Sequence, residues 1–187
     1  AQCQAAGTEK YANVPYVLIG GREAPYPGED RLLVPSPKVA TYEKEPEMSA
    51  GPVAQAVIDR INSQNDQFLV VNFANPDMVG HTGVFAATIR AVEVVDEVLG
   101  RIAGAALGRG RVLAITADHG NAELKVDPKT GNPLTAHTTN PVPLILAGAP
   151  AVTGLREAGK LADIAPTLLR LAGIAVPSAM TGDDLRR

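Results

Sequence analysis

The stretch Phe68-Leu-Val-Val-Asn-Phe-Ala-Asn-Pro-Asp-Met-Val-Gly-His-Thr-Gly83 decides how this 187-residue chain folds. Its first part, Phe68–Phe73, is an apolar run of strand length, the pattern of a strand buried on both faces. The polar turn from Ala74 to Gly83 follows and carries Asp77 and His81. A helix is expected next, from about Val84 to Leu107, with Val84, Ile89, Val92, Val95, Leu99 and Ile102 as its apolar stripe. Arg111–Thr116 is a second buried strand, ending directly at Ala117-Asp118-His119-Gly120. Strand, helix and strand in alternation imply an α/β domain with a largely parallel central sheet flanked by helices. Such sheets bind ligands outside the carboxyl ends of their strands. Asp77 and His81 fall at one such end, and Asp118 and His119 at another.

Outward from this unit the pattern continues. Val142–Ala147 is a third apolar strand, and Leu161–Ala172 a final helix that tolerates Pro166 in its first turn. Upstream, Ser49 caps a helix through about Asn65, with Val53, Ala56, Val57 and Ile61 at helical spacing. Val14–Ile19, closed by Gly20-Gly21, reads as a strand. Residues 22–48 are punctuated by prolines without a sustained period and read as a long irregular excursion. The N-terminal Ala1-Gln-Cys-Gln-Ala-Ala-Gly7 has no initiator Met and no signal-peptide pattern, and reads as the middle of a longer protein.

Composition narrows the function classes. A net charge of −3 argues against a nucleic-acid surface, which needs clustered Lys and Arg. No apolar run approaches the roughly 20 residues of a membrane helix. The single Cys3 cannot close an internal disulfide, which fits a reducing, cytoplasmic setting. With no Trp and few aromatics, the core must be built from Ala, Val, Leu and Ile.

All three histidines lie in polar turns flanked by glycine or threonine: His81, His119 and His137. Neutral imidazole is the commonest ligand for borderline divalent ions, and Asp adds a hard oxygen that biases a site toward manganese or zinc. Asp77 and His81 are four apart, so one helical turn would present both on one face. His137 precedes the third strand, so its loop must curl back over the same sheet edge. Asp118 and His119 are adjacent and would diverge. The spacing therefore suggests one site of Asp77, His81 and His137, with Asp118 and His119 facing a second ion. Two ions about 4 Å apart can clamp the attacking and leaving oxygens of a phosphoryl transfer. Lys10, by itself, reads as a solvated lysine.

Several runs together resemble one family. They are Thr8-Glu-Lys-Tyr-Ala12, Pro27-Gly-Glu-Asp-Arg31, Val34-Pro-Ser-Pro-Lys-Val-Ala-Thr-Tyr42, Pro46-Glu-Met-Ser-Ala50, Asn72–Gly83, Thr116-Ala-Asp-His-Gly-Asn121, His137-Thr-Thr-Asn-Pro-Val-Pro143 and Leu161–Thr167. In this order they resemble the cofactor-independent phosphoglycerate mutases of the alkaline phosphatase superfamily. The resemblance implies an alkaline-phosphatase-like fold that is incomplete here. Residues 1–187 would be the C-terminal segment of a metal-binding phosphatase-type domain, without its N-terminal segment and the inserted transferase domain. It implies interconversion of 3-phosphoglycerate and 2-phosphoglycerate, a step of glycolysis and gluconeogenesis, through a phosphoserine enzyme with two divalent ions, Mn2+ foremost. Asp77, His81 and His137 match the ligands of one ion. Asp118 and His119 match two ligands of the other, and Lys10 matches the lysine that contacts the transferred phosphoryl group. Asn13 and Ile19 depart from the family pattern. The nucleophilic serine and the glycerate-binding domain have no match here, which makes the missing N-terminal segment an expected structural partner.

Two other readings compete. One is a stand-alone metal-dependent phosphatase or phosphopentomutase-like enzyme using Ser36, Ser49 or a metal-bound water. The other is a non-catalytic metal-binding relic or half of a split enzyme.

Overall fold

The structure, a computed structural model, describes residues 1–11, 22, 24–63 and 66–187. Three parallel strands form the main sheet: β1 (Gln2–Gly7) at the centre, β2 (Glu29–Val34) on one side and β3 (Phe68–Asn72) on the other. The register is continuous, pairing Gln2–Gly7 with Glu29–Val34 and Gln2–Ala6 with Phe68–Asn72. A short helix α1 (Thr8–Tyr11) leaves the end of β1, and α2 (Ala50–Ser63) leads toward β3. Beyond β3 come α3 (Asn75–Gly80), the long α4 (Phe85–Gly108), β4 (Leu113–Thr116), β5 (Leu144–Ala147) and α5 (Ile164–Leu171). The α/β class with a parallel sheet flanked by helices is what the alternating pattern predicts. One pairing differs: β5 runs antiparallel to β4, and these two form a separate ladder.

The central strand is the element that the sequence hides. Cys3, Ala5 and Ala6 are almost wholly buried, yet none is β-branched or aromatic. Ala5 packs in one cluster with Val53, Ala54 and Val57 of α2, so packing overrides propensity. The excursion expected over residues 22–48 likewise contains β2, whose charged start, Glu29-Asp-Arg31, masks a strand. Glu29 is buried and paired with Arg31 at 2.6 Å. The strand expected over Val14–Ile19, with Asn13 and Ile19, lies outside the described residues, as does the expected helix end at Asn65.

The core sits between this sheet and the α2–α4 pair. Ala5, Val53, Ala54, Val57, Ile61, Val94, Val98, Ile102 and Ala106 are buried together. The stripe expected on α4 is largely the wrong one. Val84, Ile89 and Val92 are exposed, and the buried face runs through Ala87, Thr88, Ala91, Val94, Val98, Ile102 and Ala106. Alanine permits close helix approach, and a search for large aliphatics passes over it. β3 and β4 are half-buried and not covered on both faces. Among the described residues no helix is long and apolar enough to cross a membrane.

A second cluster, Met48, Ala74, Val79, Ala87 and Ala91, seats α3 against α4. The buried Asn75 side chain donates to the carbonyls of Pro46 and Glu47, both at 2.8 Å. Helix α3 is therefore fastened from two sides at the carboxyl end of β3, and it carries Asp77.

Candidate metal centre

Pro76, in the first turn of α3, supplies a preset φ where no intrahelical N–H partner is needed. Asp77 lies in that turn, and His81 caps the helix, its backbone N–H donating to the carbonyl of Asp77 at 3.0 Å. The i,i+4 spacing brings His81 Nε2 to 3.0 Å from Asp77 Oδ1. The loop before β5 curls back, as the sequence requires, and places His137 Nε2 2.9 Å from the same oxygen and 3.0 Å from His81 Nε2. The three donor atoms form a nearly equilateral triangle.

That triangle fits a divalent ion. Three mutually adjacent positions of an octahedral ion with bonds of about 2.1 Å lie about 3.0 Å apart. Two imidazoles and one carboxylate are a donor set for borderline first-row ions. A further contact fixes the imidazole tautomer. His81 Nδ1 lies 2.5 Å from the carbonyl oxygen of Thr135, which can only accept. Nδ1 therefore donates, and Nε2 is the ring nitrogen turned toward the triangle, the arrangement that orients metal-binding histidines. Gly83, at φ +74°, makes the approach possible, because a Cβ there would sit 3.2 Å from the Thr135 methyl group.

Asp77 is the hub. Lys10 Nζ donates to its Oδ2 at 2.7 Å, and Asn121 Nδ2 donates to its Oδ1 at 2.8 Å. Burial works to raise its carboxyl pKa. The hydrogen bonds from Lys10 and Asn121 and the charges of Lys10 and His81 outweigh that and hold it at about 2. It is a carboxylate at any working pH.

Lys10 is thus no solvated lysine. Its helix α1 is anchored by the neighbouring Glu9, which accepts hydrogen bonds from Ser36 Oγ and Tyr42 OH. The Tyr42 hydroxyl pKa is pushed up to about 12, chiefly by the hydrogen bond to Glu9. Ser36 and Ser49, the serines considered as nucleophiles, meet here at 3.4 Å, with Ser36 engaged by Glu9.

The other two expected residues lie beside the triangle. The His119 ring stacks on His137 with centroids 3.7 Å apart, while the Asp118 side chain is largely exposed. Among the described residues only Asp77, His81 and His137 form a group of three able to hold an ion. Asp118 and His119 are two candidate ligands without a third among the described residues.

Supporting residues escaped the sequence reading. Glu123 takes Asn121 N–H at 2.7 Å and Asn140 Nδ2 at 2.9 Å, and the Thr138 hydroxyl also donates to it. It thereby clips the His137 loop to the His119 turn, where Gly120 and Thr138 also form a β-bridge. Lys125 is buried beneath Asn121. Burial lowers its pKa, while Glu123 and Asp77 pull the other way. Acids near a histidine turn were a signal for Glu123; a lone lysine gave none for Lys125.

The profile of the Metalloenzyme superfamily matches residues 1–176. The 2,3-bisphosphoglycerate-independent phosphoglycerate mutase of Chloroflexus aggregans is 55% identical over 188 residues, covering 98% of this chain and 35% of the relative. That of Thermomicrobium roseum is 55% identical over 189 residues, covering 98% and 36%. A crystal structure of the Leishmania mexicana phosphoglycerate mutase, solved at low cobalt concentration, superposes with a TM-score of 0.91 at 32% identity. It covers 100% of this chain and 37% of the other. The chain spans about a third of the length of the relatives it matches.

Proposed function

The chain belongs to the Metalloenzyme superfamily, and we propose that it is the metal-binding segment of a 2,3-bisphosphoglycerate-independent phosphoglycerate mutase. The observation that carries this reading is the triangle of Asp77 Oδ1, His81 Nε2 and His137 Nε2 at the carboxyl end of β3, with edges of 2.9–3.0 Å. The reaction is the interconversion of 3-phosphoglycerate and 2-phosphoglycerate, in glycolysis and gluconeogenesis, through a phosphoserine whose serine lies outside these residues. The location is the cytoplasm.

Asp77, His81 and His137 would hold one divalent ion, Mn2+ by preference. When bound, it supplies Lewis-acid stabilisation of charge on a phosphoryl oxygen. The residues of this chain prepare that chemistry. The Thr135 carbonyl fixes the His81 tautomer, and Asn121 orients Asp77. Lys10, held against Asp77 Oδ2, presents an ammonium to a phosphoryl oxygen as a point charge. Asp118 and His119 contribute two ligands to a second ion, which the remaining portion of the longer protein completes. That portion is the proposed structural partner.

The test is reconstitution. The chain is co-expressed with the part of the Chloroflexus aggregans relative that it does not cover, and 3-phosphoglycerate turnover is measured. We expect turnover from the pair, its loss with EDTA or with Lys10→Met, and none from this chain alone. Turnover by the pure chain would refute the proposed division of the active site.

A further inference from the structure

A buried lysine lies one residue removed from the proposed ligand set. Lys125 is 4% exposed, and its partners are neutral. Its Nζ donates to the carbonyl of Gly80 at 3.1 Å and to Asn121 Oδ1. A buried ammonium without a directly bonded carboxylate is costly to retain, so the position invites a reason.

Asn121 supplies it. The amide is 4% exposed and lies between two groups of opposite demand. An ammonium only donates, so it requires the amide oxygen; a carboxylate only accepts, so it requires the amide nitrogen. With Lys125 on Oδ1, Nδ2 is directed at Asp77, reaching Oδ1 at 2.8 Å and the main-chain carbonyl at 3.3 Å. Gly80 leaves the room, since a Cβ there would stand 2.5 Å from Asn121 Oδ1. The Lys125 main chain points to the same centre. Its carbonyl accepts from Leu134 N at 2.9 Å, next to the Thr135 carbonyl that fixes the His81 tautomer.

We propose that Lys125 is a positioning residue of the metal centre: through Asn121 its ammonium fixes the ligand oxygen Oδ1 of Asp77. The inference rests on the reading of Asp77, His81 and His137 as ligands. Its sign is open to test, because two effects of the lysine oppose each other. As a nearby positive charge it repels a dication, so its removal should tighten binding. As the anchor of Asn121 it orders the ligand, so its removal should weaken binding. We assign the larger effect to positioning, since outer partners of metal ligands typically change affinity by about 10–100-fold.

The experiment uses the 187-residue chain and its Lys125→Met, Asn121→Ala and double variants. Calorimetry measures the Mn2+ dissociation constant, and the visible spectrum of the Co2+-saturated protein reports ligand geometry. Met fills the lysine volume without a charge, and urea midpoints check that each variant is folded. We expect Lys125→Met to weaken Mn2+ about tenfold or more and to shift the Co2+ bands. The double variant should bind no worse than Asn121→Ala, because both act along one path. Unchanged or tighter Mn2+ binding by Lys125→Met, or effects that simply add, would overturn the proposal while leaving the ligand reading intact. Failure of the parent chain to bind Mn2+ would remove the ligand reading, and this inference with it.

Discussion

Replacing Asp77 by Asn should reveal how much one carboxylate holds together before any metal binds. The variant keeps the shape but removes the charge that meets Lys10 at 2.7 Å and His81 at 3.0 Å. The carboxyl pKa is lowered from 3.8 to about 2, a net result of burial opposed by Lys10, Asn121 and His81. At 1.36 kcal/mol per unit this corresponds to about 2 kcal/mol of stability. The ion pair is only 16% and 13% exposed, so solvent screening takes a small share. For an acid with a depressed folded pKa, the contribution is complete above the unfolded value near 4 and is lost as pH falls toward 2. The gap between parent and Asp77→Asn should therefore be about 2 kcal/mol at pH 6 and roughly half that at pH 3. Urea unfolding in EDTA across this range measures it. Adding Mn2+ at about 100 times its dissociation constant should stabilise the parent by a further ~2.7 kcal/mol and leave the variant unmoved. Equal stabilities at pH 6, or a gap that stays constant down to pH 3, would refute the charge network assigned to Asp77.

Other perturbations separate the supports of the site. Asn75→Ala strands two backbone carbonyls over α3 and should cost about 1–3 kcal/mol in urea unfolding, with weaker Mn2+ binding following from a loosened helix. Ala91→Leu overfills the buried face of α4 and should cost about 1–3 kcal/mol, while Ile89→Ser on the exposed face stays within about 0.5 kcal/mol; the reverse ranking would restore the aliphatic stripe as the packed one. His119→Ala removes a ring stacked on His137 and outside the ligand triangle, so Mn2+ affinity in calorimetry should fall far less than with His137→Ala.

Much of this arrangement can be read from the residues. The apolar run before Asp77 and the one before Asp118 place both turns at strand ends, and the four-residue step from Asp77 to His81 already implies a shared helical face. What stays hidden has physical causes. Ala5 makes a central strand by packing against α2, which propensity does not register. The packed face of α4 mixes Ala87, Ala91 and Ala106 with Val94, Val98 and Ile102, while Ile89 and Val92 point outward. The antiparallel course of β5 depends on a long loop whose direction no local pattern constrains. Lys125 looks like any solvated lysine until burial places it on Asn121. Lys10 acquires a role from local chemistry only when the fold brings it to Asp77, 67 residues away.

The central claim is that Asp77, His81 and His137 hold one divalent ion. Calorimetric titration of Mn2+ into the metal-stripped 187-residue chain tests it most directly, run beside His81→Ala and His137→Ala. The account predicts one tight ion per chain, lost in both variants, with a second ion bound only weakly. Two equally tight ions, or tight binding that survives His137→Ala, would contradict it.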